Sequence, residues 1–391
     1  MRKVVITAAK RTPVGSFNGA LSSFSAAQLG SIAIKGILDE TQIDGKLIDE
    51  VIMGNVLTGG QGQAPARQAA IFAGLPEKTE CMTINKMCGS GLKAVMLAQQ
   101  AIAAGDADII IAGGQESMTN TPYILPKARS GYRLGNGEVV DLMIKDGLWD
   151  VYNDIHMGSC AEACARDFSF KREELDEFAI NSYRKALDAQ KAGKFNDEII
   201  KVCIKTKSGE TVVDKDEEPG RVIFEKISSL KPVFEKNGVV TAANASSIND
   251  GAAALLVMSE EKAKELGLKP LVELVAQSSA AKAPIEFTTA PADAIANVLK
   301  KSNLKKENID LFEINEAFAV VSLAVNKLLG LDNSRVNVNG GAIAIGHPIG
   351  ASGARILTTL IYEMKRRNSN YGLASLCIGG GEASALIVKK P

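Results

Sequence analysis

Two glycine-rich segments contain the residue types that carry covalent chemistry, and the first of them contains a cysteine. An apolar run over residues 82–84 leads to Cys88, which Gly89 and Gly91 follow closely. A strand, a glycine turn and a helix in this order place the thiol at a helix N-terminus, where backbone N–H groups and the helix dipole stabilise a thiolate. This is the arrangement of a nucleophile elbow with sulfur as the nucleophile. A buried structural cysteine fits this segment alone equally well.

The second segment contains His347, one of only two histidines in the chain. It is followed by Pro348, is flanked by glycines and precedes a predicted helix. Because imidazole titrates near neutral pH, a histidine fixed in such a turn is a candidate general base. A single histidine is more often a hydrogen-bonded polar residue without a catalytic role. Its role here therefore depends on which groups the fold places beside it.

Two further polar groups stand just beyond predicted strands, where α/β sheets bind their ligands. Cys377 precedes a run of three glycines that begins at Gly379. The backbone N–H groups of this run are candidates to bind an oxyanion, although a glycine run is by default a tight connection. Asn315 is a candidate to hold a water or to orient the base, and the competing interpretation is a helix N-cap.

The composition indicates a globular protein without nucleic-acid or membrane partners. The 391 residues correspond to two or three domains, and Lys+Arg and Asp+Glu each total 45, so the net charge is zero. No apolar run approaches the ~20 residues of a membrane helix. Six cysteines are scattered without a CxxC pair, which disfavours a disulfide framework and a structural zinc site. We therefore expect a cytoplasmic protein that contains no metal.

The chain repeats itself. Ala294-Ile295 repeats Ala33-Ile34, and Ile309-Asp310 repeats Ile48-Asp49, each 261 positions later. Ser352-Gly353 repeats Ser90-Gly91, 262 positions later. Because chance matches of small residues would not keep both their order and their offset, we infer two copies of one duplicated unit.

Each copy alternates β-rich runs with amphipathic helical stretches, which indicates an α/β fold with a mostly parallel sheet. The sequence predicts strands over residues 4–7, 51–54, 107–113, 271–276, 311–314 and 373–378, and helices over 26–39, 92–104, 291–301 and 354–365. Residues 119–244 have no counterpart in the second copy, and this polar insertion, with a long charged helix near 172–192, is predicted to form a cap. Related turns should meet across a pseudo-twofold axis, which would bring His347 to Cys88.

Four motifs in register resemble those of the thiolases, and the resemblance covers essentially the whole chain. They are Cys88-Gly-Ser-Gly, Asn315-Glu-Ala-Phe, Gly346-His347-Pro and Cys377-Ile-Gly-Gly-Gly. The resemblance implies a five-layer αβαβα fold of two duplicated halves with an inserted loop domain over a coenzyme A site. Residues 1–118 and 245–268 would form the N-terminal half, 119–244 the loop domain and 269–391 the C-terminal half. It also implies an oligomer, for which we expect a homotetramer.

The segment His156-Met157-Gly158 is similar to that of the short-chain thiolases. This similarity implies reversible condensation of two acetyl-CoA molecules to acetoacetyl-CoA and coenzyme A. Coenzyme A is then a substrate and product, and we expect no cofactor.

The family's roles fall on five residues of this sequence. They make Cys88 the nucleophile that takes the acyl group, His347 the base that activates it and Cys377 the second acid and base. His347, with a water held by Asn315, would stabilise the enolate oxygen. The backbone N–H groups of Cys88 and Gly379 would stabilise the tetrahedral intermediate.

The resemblance also places seven side chains around the acyl group and pantetheine: Leu148, His156, Met157, Phe234, Ser246, Ala317 and Phe318. A packing role is the competing interpretation for His156, and a core role for Met157 and Leu148. The sequence departs from the family pattern at Ser247, at Ala383 and over residues 287–289, which leaves the acyl-chain length open. The segment with Arg221 does not align cleanly, which puts a nucleotide contact in doubt.

Three other functions compete with this interpretation. A ketoacyl synthase typically pairs its cysteine with histidines rather than with a second cysteine such as Cys377, and a cysteine hydrolase has no use for that residue or for a duplicated half. A catalytically inactive carrier of coenzyme A or lipid would have the same fold without acyl transfer. If Cys88 and Cys377 both approach one reacting carbon, a reversible disulfide between them is a further hypothesis, which peptide mapping after mild oxidation tests.

Overall fold

Strands and helices alternate along both copies of the repeat in a computed structural model that describes residues 2–206 and 209–391. The strands are, in chain order, β1 (Val4–Arg11), β2 (Gly15–Ser16), β3 (Glu50–Gly54), β4 (Glu80–Ile84), β5 (Ile109–Ser117), β6 (Tyr123–Ile124), β7 (Val140–Asp141), β8 (Trp149–Asp150), β9 (Ile155–His156), β10 (Val202–Thr206), β11 (Gly209–Val213), β12 (Asn249–Ser259), β13 (Val272–Ala281), β14 (Leu311–Ile314), β15 (Tyr371–Ile378) and β16 (Glu382–Lys389). The helices are α1 (Ala26–Thr41), α2 (Pro65–Phe72), α3 (Ser90–Ala104), α4 (Met157–Phe168), α5 (Arg172–Lys191), α6 (Phe224–Ile227), α7 (Glu260–Glu265), α8 (Ala290–Ser302), α9 (Ala319–Leu329), α10 (Ala342–Ile345) and α11 (Ile349–Arg367).

The elements begin and end where local chemistry requires. Helix α1 begins after Ser25, whose hydroxyl accepts from the backbone N–H of Gln28 while the Gln28 side chain accepts in return, which is a capping box. Helix α11 differs most from its prediction, since it begins at Ile349 rather than near residue 354. Its first turn consists of small residues that the sequence pattern assigned to a glycine turn, and tertiary packing makes them helical.

The strand order confirms the duplication. In the N-terminal copy the strands lie in the order β1-β12-β5-β3-β4, and in the C-terminal copy the order is β13-β16-β15-β14. The two series have the same directions, with β1/β12 and β13/β16 antiparallel and β5/β3 and β15/β14 parallel. Strands β1 and β13 pair antiparallel over Val5–Glu273 and Ile6–Val272, which joins the two series into one sheet.

The prediction of a mostly parallel sheet is wrong. Parallel pairing is confined to β3/β4, β3/β5 and β14/β15, and the other neighbours in the large sheet run antiparallel. The reason is connectivity, because β15 and β16 are joined by a tight turn and such a connection forces antiparallel pairing. Strand β12 occupies the equivalent place in the other copy after the long insertion.

Three separate apolar cores define five layers. Helices α1 and α2 cover the outer face of the first strand series through a core that includes Leu29 and Ile111, and α8 and α9 cover the outer face of the second. Helices α3 and α11 lie between the two series, where Leu92 and Leu357 belong to one shared core. This arrangement confirms the five-layer αβαβα fold of two duplicated halves.

Two glycines bring the central helices into direct contact. A Cβ atom on Gly91 of α3 would lie 2.8 Å from the backbone nitrogen of Ala354, and one on Gly353 of α11 would lie 2.3 Å from the backbone nitrogen of Leu92. The contact is reciprocal, since the two glycines are equivalent positions of the repeat. Because only glycine permits this approach, the first turns of α3 and α11 meet near the pseudo-twofold axis.

The insertion contains the elements from β6 to α6, and its charged helix α5 covers Arg172–Lys191 as predicted near 172–192. Residues 207 and 208 of the insertion lie outside the described residues. Across the described parts of the chain, we find no helix with the length and apolar character that crossing a bilayer requires.

Candidate active site

Cys88 lies on a turn that its neighbours hold closed. Helix α3 begins at Ser90 with Gly89 as N-cap, so Cys88 stands one residue before the cap. The Ser90 hydroxyl accepts from the backbone N–H of Lys86 at 2.8 Å and donates to the carbonyl of Met87 at 2.6 Å. The turn therefore presents a half-buried Cys88 to the cavity in front of the helix.

The surroundings of Cys88 favour the thiol over the thiolate. Burial raises the pKa of Cys88 to about 11, while the backbone N–H groups of Gly379 and of Cys88 itself act in the opposite direction by donating to the sulfur. The charge of Glu116 adds to the increase. The sequence argument for a resting thiolate therefore does not hold in this environment, because desolvation outweighs the local donors. A base must remove the proton.

His347 is fixed by residues from both halves of the protein. Its backbone N–H donates to Oδ1 of Asn249 on β12 at 2.8 Å, and its ring Nδ1 lies 2.6 Å from Oγ of Ser352. The Ser352 hydroxyl donates its hydrogen to the carbonyl of Pro348 at 2.9 Å, so it accepts from Nδ1–H of the imidazole. The neutral ring then has its lone pair on Nε2, which is the nitrogen that can accept a proton.

The environment of His347 keeps the imidazole neutral. The residue is buried, and burial together with the charge of Arg355 lowers the pKa of His347 to about 3. The amide Nδ2 of Asn315 lies 3.4 Å from Nδ1 and 3.5 Å from Nε2 of the ring. Asn315 is not a helix N-cap, because α9 begins at Ala319 with Phe318 as its N-cap.

Cys377 is the next-to-last residue of β15 and is 1% exposed. Burial raises the pKa of Cys377 well above its ordinary value, and the neighbouring Cys88 adds to the increase. Gly379 follows in the turn between β15 and β16, with its N–H directed to the sulfur of Cys88. The two thiols and one backbone donor therefore share one small region.

Glu116, which the sequence patterns did not indicate, connects the two halves behind the nucleophile. Its carboxylate accepts from the backbone N–H groups of Val56 and Leu57 and from the side chain of Asn55. It also accepts from the N–H of Gly350 at 2.8 Å, in the first turn of α11. Burial nevertheless raises its pKa to about 7. A carboxylate at a helix N-terminus stabilises that helix end, so Glu116 fixes α11 against the Cys88 half.

One cavity of about 730 Å³ brings these groups together with the predicted substrate contacts. The predicted site residues that line it are Cys88, Leu148, His156, Met157, Phe234, Ser246, Ala317, Phe318, His347, Cys377 and Gly379. Asn315 stands behind this lining, against the ring of His347. Arg221 lines the cavity as well, from an exposed turn of the insertion.

The aromatic wall of the cavity includes a histidine with two contacts. His156 stacks on Phe234 with ring centroids 4.7 Å apart, and its Nδ1 accepts from the N–H of Gly158, which caps α4. Phe318 meets Phe234 edge to face at 6.2 Å, and Phe287 meets Phe318 in the same way at 6.3 Å. Phe287, in the segment 287–289 where the sequence departs from the family pattern, therefore places a buried ring on the cavity wall.

Among the described residues, the cysteines form no disulfide and the acidic residues form no metal-binding group. All six cysteines are free thiols, so the disulfide between Cys88 and Cys377 stays a hypothesis. Within residues 2–206 and 209–391, no group of three or more His, Cys, Asp or Glu side chains is arranged to hold a metal ion.

Comparisons with known proteins agree with this geometry. The thiolase N-terminal domain matches residues 4–261 and the thiolase C-terminal domain matches residues 268–390. The chain therefore belongs to the thiolase family. It is 54% identical over 392 residues to an acetyl-CoA acetyltransferase of Cupriavidus necator, covering 100% of both chains. It is 51% identical to a mitochondrial acetyl-CoA acetyltransferase of Bos taurus, covering 100% of this chain and 92% of that protein.

Solved structures show the same similarity. The crystal structure of the Bacillus anthracis acetyl-CoA acetyltransferase superposes with a TM-score of 0.98 at 43% identity, over 100% of this chain and 99% of that one. A thiolase from Ascaris suum in complex with coenzyme A gives a TM-score of 0.95 at 45% identity, over 100% of both chains.

Proposed function

We propose that this chain is an acetyl-CoA C-acetyltransferase, which condenses two acetyl-CoA molecules to acetoacetyl-CoA and coenzyme A and catalyses the reverse thiolysis. The observation that carries the proposal is a single cavity lined by two thiols, a neutral histidine and a backbone donor, namely Cys88, Cys377, His347 and Gly379. The relatives named acetyl-CoA acetyltransferase support it along the full length.

The first step is transfer of an acetyl group to Cys88. Nε2 of His347 takes the thiol proton as the sulfur attacks the thioester carbon, and the same proton then goes to the departing sulfur of coenzyme A. The carbonyl oxygen becomes negative in the tetrahedral intermediate. The backbone N–H groups of Cys88 and Gly379, which already converge on the sulfur, are placed to stabilise that charge.

The second step forms the carbon–carbon bond. Cys377, a thiol at rest, first gives its proton to Nε2 of His347 and becomes a thiolate. The thiolate takes a proton from the methyl carbon of the second acetyl-CoA, and the resulting enolate carbon attacks acetyl-Cys88. While Nε2 of His347 holds the proton from Cys377, its N–H and a water held by Asn315 stabilise the enolate oxygen during this attack. The Cys88 sulfur is released as a thiolate and takes the proton back from Nε2 of His347, so both thiols are restored. In the direction of thiolysis Cys377 donates the proton instead, and its raised pKa holds it in the thiol form that a donor needs.

The insertion provides the cover for the substrate. We propose that residues 119–244 form a loop domain between the halves 1–118 with 245–268 and 269–391. Leu148, His156, Met157 and Phe234 of the insertion line the cavity, and Ser246 beyond it donates its N–H to the carbonyl of Ala317 at 3.0 Å. This loop domain would bind the pantetheine arm of coenzyme A, while Phe287 and Leu148 limit the acyl group by their bulk.

The proposal is tested by coenzyme A-dependent cleavage of acetoacetyl-CoA beside a longer 3-ketoacyl-CoA. We expect rapid cleavage of the short substrate, weak cleavage of the longer one, and no cleavage by Cys88→Ala. Intact mass after incubation with acetyl-CoA should show one acetyl group on the parent and none on that variant. Folded, reduced protein that cleaves neither substrate and takes no acetyl group would favour the carrier interpretation.

We further propose a cytoplasmic homotetramer. The two catalytic thiols require a reducing compartment, and a hairpin of the insertion exposes apolar side chains that an oligomer would cover, among them Tyr123, Leu134 and Val139. Light scattering coupled to gel filtration should give four times the mass of the chain. A monomeric mass at working concentration would contradict the assembly, and fractionation of the source cells tests the compartment.

A further inference from the structure

A stripe of polar side chains runs along α11 through the middle of the protein. Its members are Ser352, Arg355, Thr359 and Glu363, which are spaced three, four and four residues apart and therefore share one face of the helix. All four are at most 2% exposed. Because buried polar groups are costly unless they are bonded, each member should have a reason for its position.

Three members of the stripe are hydrogen-bonded to neighbouring residues. At the start, Ser352 accepts from Nδ1–H of His347. Further along, Thr359 donates to Glu198 at 3.0 Å, and Glu363 accepts from Asn339, Arg366 and Arg367. These contacts account for three of the four members.

Arg355 differs from the other three. None of its three guanidinium nitrogens has a hydrogen-bond partner among residues 2–206 and 209–391, although the residue is 1% exposed. Arg11 is buried to the same degree, yet it donates to Glu198 and Asp216, each at 2.7 Å. Burial lowers the pKa of Arg355, but a guanidinium titrates so far above neutral pH that it stays protonated, so Arg355 holds a charge that no contact ion pair neutralises.

The charged groups around Arg355 come from several elements. Glu313 on β14 and Glu316 just beyond it, Glu198 and Asp216 of the insertion, Arg11 on β1 and Glu363 on α11 itself surround this part of the core. Arg11 is directly bonded to Glu198 and Asp216, and Glu363 to Arg366 and Arg367. Burial raises the pKa of Glu313, and this carboxyl makes no hydrogen bond to the guanidinium of Arg355.

His347 has few other charges near it. Ser352 and Asn315 are neutral, and burial keeps the thiols Cys88 and Cys377 protonated. Glu116 is bonded to Gly350, three residues along the chain from the histidine. The guanidinium lies one helical turn beyond Ser352 on the same face and has no hydrogen-bond partner among the described residues. It is therefore the charge of α11 that stands closest along the helix to the imidazole, and in a dry interior its field is weakly screened.

We propose that Arg355 is a positioning residue whose buried charge keeps the imidazole of His347 in its neutral form, with Nε2 ready to accept the Cys88 proton and quick to return it to the departing thiol. A positive neighbour disfavours a second positive charge, so the imidazolium formed during acylation is short-lived. This role rests on the proposed function only in that His347 is the base. The protonation state itself is measurable without any substrate.

The test is a histidine-labelled NMR titration, which this chain suits because His156 and His347 are its only histidines. A His156→Gln variant assigns the two signals. In the parent and in Arg355→Lys, we expect His347 to stay neutral from pH 8 down to pH 5. In Arg355→Gln, the ratio of protonated to neutral His347 at a fixed acidic pH should rise by about tenfold, since one pKa unit corresponds to that factor. The His156 titration should not move, which makes it the internal control.

Two outcomes overturn the proposal. One is a folded Arg355→Gln protein whose His347 titrates as in the parent while only its thermal stability falls, which is what a purely structural arginine gives. The other is a parent protein whose His347 titrates at its ordinary value of about 6.5. If Arg355→Gln does not fold, Arg355→Lys decides, because lysine keeps the positive charge. If His347 of Arg355→Lys titrates in the ordinary range, the charge at position 355 does not control the imidazole, and the role is contradicted. Failure of acetyl transfer would leave these titrations unchanged, so the two proposals fail separately.

Discussion

The turn before α3 and the turn before α11 occupy equivalent places in the two copies of the repeat, yet they hold opposite chemical partners. The first holds Cys88, half-buried and fixed by Ser90 of its own helix, and the second holds His347, buried and fixed by Ser352 and by Asn249 from the other half. Burial acts on the two in opposite directions. It raises the pKa of the thiol to about 11 and lowers the pKa of the imidazole to about 3.

Both turns are therefore neutral at rest, because a dry environment disfavours the charged form of an acid and of a base alike. A proton then moves between them only when the developing thiolate is consumed by attack on a thioester. The comparison shows that duplication supplies two equivalent turns, and that the residue in each turn and its burial give the turn its own chemical role. The following changes test it, beginning with the largest expected effect.

Replacing His347 removes the general base from the second turn. We expect His347→Ala to slow acetylation of Cys88 by roughly 10²–10⁴-fold, which is the usual contribution of a general base. Rapid-quench intact mass measures this rate. His156→Ala is the matched control, since it removes the other histidine, and it should change acyl transfer far less while weakening the start of α4. Equal losses in the two variants would contradict the assignment of the base.

The pH dependence of Cys88 alkylation tests whether the resting pair is neutral. Below the thiol pKa the thiolate fraction rises about tenfold per pH unit, so the rate of reaction with iodoacetamide should rise roughly 100-fold from pH 7 to pH 9 without a plateau. The Cys88→Ala variant gives the background from the other cysteines. A rate that is flat across this range would indicate a preformed thiolate–imidazolium pair and would remove the basis of the comparison.

The reciprocal glycine contact is tested through stability. A Cβ on Gly353 would lie 2.3 Å from the backbone nitrogen of Leu92, which cannot move as a side-chain tip does. We expect Gly353→Ala to lower the free energy of unfolding by about 1–3 kcal/mol, the usual cost of overpacking. Gly220→Ala is the control, because a Cβ there meets nothing within 4 Å. Urea unfolding should therefore separate the variants, and identical midpoints would show that the helices do not depend on this contact.

The smallest effect concerns the tautomer of the base. Ser352→Ala removes the acceptor for Nδ1–H, and loss of one such hydrogen bond, worth about 1–1.5 kcal/mol, should slow acetylation by roughly tenfold. Thr358→Val is the matched control, since its hydroxyl donates to the carbonyl of Ala354 in the same helix. A slower rate in the control than in Ser352→Ala would mean that hydroxyl loss acts through the helix and not through His347.

The candidate site could be found from sequence because each polar group belongs to a short motif with its own turn chemistry. Cys88, His347 and Cys377 stand out as reactive types beside glycines, and the offset of the repeat predicts that the first two turns meet. Ser352 carries a weaker signal, since it stands five residues after the histidine in the same glycine-rich segment. Glu116 and Arg355 carry none, because their roles depend on partners more than two hundred residues away or on a lack of partners.

The fold was predictable to the level of layers but not of strand direction. Alternating strand and helix patterns indicate the halves, and the repeat indicates their symmetry. Pairing direction depends on where β12 and β16 enter the sheet, and this is decided by contacts across the whole chain. The first turn of α11 was missed for the same reason, since small residues become helical there only when packed against α3.

The sequence by itself determined which atoms are available for chemistry and that Cys88 and His347 stand in paired turns of a repeat, since residue type and spacing are local properties. Only the tertiary structure decided their ionisation. The pKa of a group depends on how much water it loses and on which charges surround it, and these follow from packing. The thiolate that local sequence favours thus becomes a thiol, and the histidine of ordinary pKa becomes a neutral base beside a buried arginine.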